Sequence, residues 1–218
     1  MYYLVAILLQ TYFAFFPRES KEATGFVKEH LPQIKKELST FSSEERRIAM
    51  AIVAPEISQY STVSDFIELK TLFIMYRSYG KGDFSVGYFQ MKPSFIEGLE
   101  KEINNNKELK RKYGSYLLIG EGKETRETRL KRLSTFEWQL RYLAVFIDIA
   151  KLKTKSIKFG SSQERLRYWA TLYNSGFNLS QQKVGEYQKK RYFPHYSRQK
   201  FNYADVAQEF YEAFKGMF

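Results

Sequence analysis

The chain contains no cysteine, which excludes disulfides, thiolate zinc centres and a cysteine nucleophile. Its two histidines, His30 and His195, lie far apart in sequence and form no ligand spacing such as HExxH, so neither a metal nor a cofactor is expected. P-loop and dinucleotide fingerprints are missing, and so is any internal repeat. No linker-like run divides the 218 residues, a length that suits one sizeable core. After the first stretch nothing is apolar enough to cross a bilayer, so no mature transmembrane span is expected.

What the chain has in excess is aromatic side chains and positive charge. Nineteen Phe and 17 Tyr offer faces for packing and for stacking on sugars or bases. The net charge of +11 attracts polyanions, among which nucleic acid, anionic membranes and the bacterial wall all qualify. Leu4 to Phe16 (LVAILLQTYFAFF) is apolar apart from Gln10 and Thr11. Residues 1–17 therefore read as a signal peptide or as an N-terminal apolar helix, and residues 18–218 as a single domain. The signal-peptide reading carries export with it.

Periodicity predicts a mainly helical protein. Phe26, Leu31, Ile34 and Leu38 are spaced as on a helix interrupted near Pro32. Ser42 and Glu45 form a capping box, opening a helix with Ile48, Ala49, Ile52 and Val53 inward. Pro55 disfavours helical geometry at Ala54, so that helix is expected to stop there. Val63 to Tyr76 reads as a largely buried helix and residues 83–91 as a short β-hairpin. Pro93 suits the first turn of a helix reaching Ile103, and 104–106 begins a basic connector. One long scaffold helix is expected over 125–151, another from Gln163 to Tyr173 ended by Gly176, and a last one from Tyr203 to Lys215. The arginines and lysines between 107 and 132 read as a solvated face.

The chemistry centres on Glu56 and on Asp83-Phe84-Ser85-Val86-Gly87-Tyr88-Phe89-Gln90-Met91-Lys92-Pro93. Glu56 follows an apolar helix, and both its neighbours and the helix dipole favour the protonated form, as a general acid requires. Gly87 lets backbone approach a ligand closely. Gln90 offers donors and an acceptor to a neutral polar ligand such as an acetamido sugar. Taken alone, each has a plainer reading: a solvated glutamate, a surface hairpin, a helix cap at Tyr173-Asn174-Ser175-Gly176. Lys183, Lys189, Lys190, Arg191, Arg198 and Lys200, interleaved with Tyr187, Tyr192, Phe193 and Tyr196, suit an anionic glycan or single-stranded nucleic acid.

The order of these pieces resembles the soluble-type lytic transglycosylases, relatives of goose-type lysozyme. The matching pieces are Glu56, then Ser85 with Gly87-Tyr88-Phe89-Gln90-Met91 and Pro93. Leu172-Tyr173-Asn174-Ser175-Gly176 and Asn202-Tyr203-Ala204-Asp205-Val206 follow. Departures are Ile57 where the family has serine after the glutamate, a longer gap from Glu56 to Ser85, and Tyr88-Phe89 in place of leucine-methionine. The resemblance implies a lysozyme-like fold (α+β, mainly α) in the bacterial periplasm or cell envelope, acting on peptidoglycan glycan strands, in some cases within an envelope-spanning assembly. Nucleic acid is not the partner it implies. Glu56 would act as general acid and base, with Ser85, Gly87, Gln90, Tyr173, Asn174 and Tyr203 around the substrate and Phe89 as a cleft wall. Asp83 is the candidate second carboxylate if the enzyme were a hydrolytic muramidase, and is otherwise a turn residue.

Overall fold

The computed structural model describes residues 11–60 and 66–218, with 66–70 as backbone only. Leu4–Gln10 of the first apolar stretch and Val63–Asp65 of the helix expected over Val63–Tyr76 lie outside the described residues. The remainder is mainly helical: α1 (Tyr12–Phe15), α2 (Pro17–Glu29), α3 (Leu31–Glu37), α4 (Ser43–Gln59), α5 (Phe66–Tyr79) and α6 (Pro93–Asn105). After these come α7 (Lys107–Tyr113), α8 (Lys123–Leu133), α9 (Phe136–Lys153), α10 (Ser162–Ser175), α11 (Gln181–Tyr187) and α12 (Tyr203–Ala213).

The centre of the fold is α4. From Ile48 to Ala54 its side chains are withdrawn from water all round the helix, as expected of a helix apolar on every face. It packs on α12, α10 and α2. The capping box forms as expected, with the Ser42 hydroxyl accepting from Glu45 N and the Glu45 carboxylate from Ser42 N. The expected stop at Ala54 does not occur: α4 continues through Pro55 to Gln59. A proline inside a helix costs about 3 kcal/mol, and burial of Ala51, Ile52, Val53 and Ile57 outweighs it. Glu56 consequently stands within the last helical turn.

Three further expectations change. The stretch read as one scaffold helix breaks after Leu133 into α8 and α9. The Ser134 and Thr135 hydroxyls donate to the carbonyls of Leu130 and Arg132, a local competition that ends helices. The expected hairpin is reduced to one antiparallel bridge, Val86 with Met91, closing a tight turn. No strand occurs among the described residues. In α5, Ile74, Met75 and Tyr79 are exposed, so its described half covers the core rather than being buried in it.

The basic run is not simply solvated either. Arg129 is buried against Glu97, Glu100 and Tyr76. Arg126 donates to the carbonyls of Arg77, Ser78 and Glu121. Arg132 donates to Tyr116 O and lies over the Trp138 ring. Part of the expected connector after Asn106 is itself helical, as α7.

Tyr12, from the first apolar stretch, is fully buried in the core. Its backbone N–H and that of Phe13 both donate to the Glu209 carboxylate, each at 2.9 Å. Its phenol accepts from the Gln59 amide and meets Ser58 Oγ at 2.6 Å, and Ser58 donates to Pro55 O. One chain of hydrogen bonds thus ties α1 to the last turn of α4.

Candidate active site

The end of α4, the 85–92 turn, the end of α10 and the 193–196 loop enclose a cleft of ≈ 290 Å³. Glu56, Ser85, Gln90, Tyr173 and Asn174 line it, so residues separated by more than a hundred positions in sequence meet there. Gln59, Met91, Lys92, Phe95, Phe193, Pro194, His195 and Tyr196 complete the wall. Glu56 is the one acidic side chain among the described residues of this lining.

Burial without a cation raises the Glu56 carboxyl to about 7, and the Tyr203 hydroxyl, hydrogen-bonded to it, works in the opposite direction. Tyr203 lies behind the cleft, 2 % exposed, and donates to Ile52 O at 2.9 Å. A phenol has a single proton to give. With that proton on the Ile52 carbonyl, Tyr203 can only accept from Glu56, which requires the neutral acid. Turned towards Glu56, the same proton stabilises the carboxylate. Tyr203 can therefore serve both states of a carboxyl that gives and retakes a proton.

The 87–90 turn owes its shape to a residue that motif reading missed. Gln139, fully buried on α9, accepts from Phe89 N at 2.9 Å and donates to Leu133 O at 2.6 Å. That carbonyl is free to accept because α8 ends there. A Cβ on Gly87 would lie 1.6 Å from Gln139 Nε2 and 2.9 Å from Leu133 O, and Gly87 has φ +71°. Its missing side chain thus makes room for Gln139, not for a ligand, and Gly87 is not part of the cleft lining. The available signal was an amide on an otherwise apolar stripe of α9.

Gln90 adopts φ 49°, uncommon outside glycine, and its amide donates to Gly87 O at 2.7 Å. The second N–H and the Oε1 carbonyl are left for a ligand. Phe89 is fully buried against Phe136 rather than walling the cleft, and its carbonyl accepts from the Tyr173 hydroxyl at 2.7 Å. Burial, and then the nearby Glu56 charge, hold the Tyr173 phenol well above the usual tyrosine range. Asn174 donates to the Tyr192 hydroxyl, which also meets Ser175 Oγ. Asp83 stands outside the lining, exposed, accepting from Ser94 Oγ at 2.6 Å and pairing with Lys92 at 3.3 Å.

The basic, aromatic 183–200 stretch contributes a wall rather than a stacking ladder. Phe193 is buried against Tyr203, Lys183 pairs with Glu186, and Lys200 Nζ donates to the carbonyls of Pro194 and His195, both at 2.6 Å. Among known protein families, curated proteins and solved structures, none matches this chain. Any function rests on the site.

Proposed function

We propose that this protein is a peptidoglycan lytic transglycosylase with a lysozyme-like helical domain, cleaving the β-1,4 bond between N-acetylmuramic acid and N-acetylglucosamine. One observation carries the reading: a single carboxyl, raised by burial to about 7, shares a cleft with Gln90, Asn174 and Tyr173. Glu56 gives its proton to the glycosidic oxygen as the bond to C1 breaks with oxocarbenium character. The resulting carboxylate then takes the proton of the muramoyl 6-hydroxyl as that oxygen closes on C1. Glu56 regains its proton, no water is consumed, and the product ends in a 1,6-anhydro sugar.

The cycle needs one carboxyl used twice, in keeping with a lining that offers one. Tyr203 supports both of its states by turning its O–H between Ile52 O and Glu56, keeping its own proton. Gln90 and Asn174 supply neutral amides for acetamido and hydroxyl groups. The substrate places the protein in the bacterial envelope. In that case Tyr12, built into the core, belongs to the working protein, and a leader ending at Pro17 would remove it.

Digestion of purified sacculi with mass spectrometry of the products tests the proposal. Anhydromuropeptides are expected from the wild type, and Glu56→Gln is expected to lower their yield by about 10³-fold. Equal yields from the two proteins, or none from the wild type, refute it.

A further inference from the structure

Three parts of the cleft are supported from one residue that lies outside its lining. Glu56 and Gln59 are carried by the last turn of α4, Phe193 belongs to the 193–196 wall, and Tyr203, behind Glu56, opens α12. Tyr12 on α1 reaches all three elements.

The first connection has a direction. Ser58 Oγ donates to Pro55 O at 2.6 Å, which uses the one proton of that hydroxyl. In the 2.6 Å contact between Ser58 Oγ and the Tyr12 phenol, the donor is therefore Tyr12. The same phenol accepts from the Gln59 amide. Burial holds the phenol well above the usual tyrosine range, so its proton stays in place at neutral pH. A chain of donors thus runs from Gln59 through Tyr12 and Ser58 to Pro55 O. Pro55 has no N–H to give, so the turn bearing Glu56 is joined to the rest of α4 by one helical hydrogen bond fewer. Tyr12 ties that turn to α1 instead.

The other connections use the ring and the backbone. The Tyr12 ring lies 5.9 Å from that of Phe193 and 5.5 Å, edge-on, from that of Phe201. Phe193 packs in turn on Tyr203. The Tyr12 and Phe13 N–H groups donate to the Glu209 carboxylate, which stands on α12, the helix that begins at Tyr203. A fully buried side chain packed against several elements at once fixes their relative positions.

We propose that Tyr12 is a positioning residue: without touching substrate, it holds the α4 turn of Glu56 in place against Tyr203 and the Phe193 wall. This rests on the glycan-cleaving reading and adds the residue that keeps its acid aligned. A general acid acts only within hydrogen-bond reach of the oxygen it protonates. A misplacement of about 1 Å, caused by a residue outside the chemistry, can cost about a hundredfold in rate.

Two variants test this. Tyr12→Phe keeps the ring contacts and the N–H groups on Glu209 and removes the phenol oxygen alone, and Ser58→Ala cuts the chain at the next link. The readout is the Glu56 carboxyl, followed by isotope-edited NMR titration of the full chain without substrate. Its midpoint in the wild type is expected at about 7. Each variant should titrate about one pH unit lower as water reaches the loosened turn. On solubilised glycan strands kcat should fall about tenfold with KM within about twofold. Arg129→Met, which weakens the fold outside the cleft lining, should leave the Glu56 midpoint within about 0.3 units of the wild type, separating position from general stability. A wild-type midpoint in the ordinary carboxylate range, a midpoint unmoved in either variant, or one moved equally by Arg129→Met overturns the inference. A shift in the variants of a protein that forms no anhydro products would keep the brace and remove the reaction. Anhydro products with an unmoved midpoint would do the reverse.

Discussion

Glu56 in the cleft and Glu100 on α6 are both carboxyls drawn away from water, and their surroundings are opposite. Glu100 receives Arg129 Nη2 at 2.7 Å and Nε at 3.3 Å. The same guanidinium reaches the Tyr76 hydroxyl at 2.6 Å and Glu97 at 3.2 Å. Burial works against the Arg129 charge, and the Glu100 carboxylate overrides it, so the guanidinium is held protonated above its ordinary range. Among the described residues no cation is placed against Glu56, which burial instead pushes towards neutrality. A carboxyl that holds helices together is given a permanent partner. In the reaction proposed, Glu56 gives up a proton and takes it back, and its partner is a hydroxyl that can turn.

The most damaging way to break the contrast is to unpair the structural acid. Arg129→Met leaves Glu100, Glu97 and the Tyr76 hydroxyl without their shared donor. Removing one member of a buried pair costs about 3–5 kcal/mol, and for a chain of this size each kcal/mol lowers the melting temperature by about 2–4 °C. Calorimetry should therefore show a fall of roughly 10 °C. A variant melting within about 2 °C of the wild type would show that the network contributes little.

The next largest effect belongs to the frame of the cleft. Gly87→Ala places a methyl 1.6 Å from Gln139 Nε2 at a backbone φ of +71°. Overpacking and left-handed strain together should cost about 2–3 kcal/mol in urea unfolding, with cleavage falling as Gln90 is displaced. Shortening the obstructing side chain, in Gly87→Ala/Gln139→Ala, should not restore cleavage, because Phe89 N then loses its acceptor. Recovery in the double variant would mean that Gln139 does not shape the turn.

Acidity separates the two glutamates in solution. Glu56 ionises at about 7 in the fold and near 4.3 in an unfolded chain. Between those values the native state binds more protons than the unfolded one, so stability falls as pH rises. Its contribution is fully present below about 4 and lost as pH passes through about 7. Wild type should lose on the order of 2 kcal/mol relative to Glu56→Gln between pH 5 and 8, and cleavage should decline above about pH 7 as the acid form disappears. Parallel stability profiles for the two proteins would place the Glu56 carboxyl in water.

How much of this was legible in the sequence depended on whether the cause was local. The capping box at Ser42, Pro93 at the start of α6 and the end of α10 at Gly176 are decided by neighbours in the chain, and they were readable. Glu56, Ser85, Gln90, Tyr173 and Asn174 could be picked out by residue type and order, and they do meet in one cleft. What escaped was set by contacts across the fold. Pro55 reads as a stop only if the packing around α4 is ignored. The break after Leu133 acquires its purpose from Gln139, and Gly87 from the same amide. His195 lay within a basic, aromatic stretch whose composition suggested a polyanion surface, and Lys200 turns that stretch into a wall by binding two carbonyls no pattern could pair with it.

The smallest expected effect bears on a third carboxyl. Asp83 lies close to the turn in sequence and is exposed, held by Ser94 and Lys92, outside the cleft lining. A water-activating base must lie about 6.5–9.5 Å from the acid, across the sugar from it, and a side chain bound to Lys92 and to Ser94 at the start of α6 is poorly free to take that place. Asp83→Asn keeps the Ser94 hydrogen bond through its amide oxygen and loses only a weak exposed ion pair. Sacculus digestion by this variant should proceed within about twofold of the wild-type rate and still end in anhydro sugars. A loss of about a hundredfold or more, the scale of a general base, together with reducing ends among the wild-type products, would reverse the assignment. Glu56 would then be one of two acting carboxyls, and the reaction a hydrolysis.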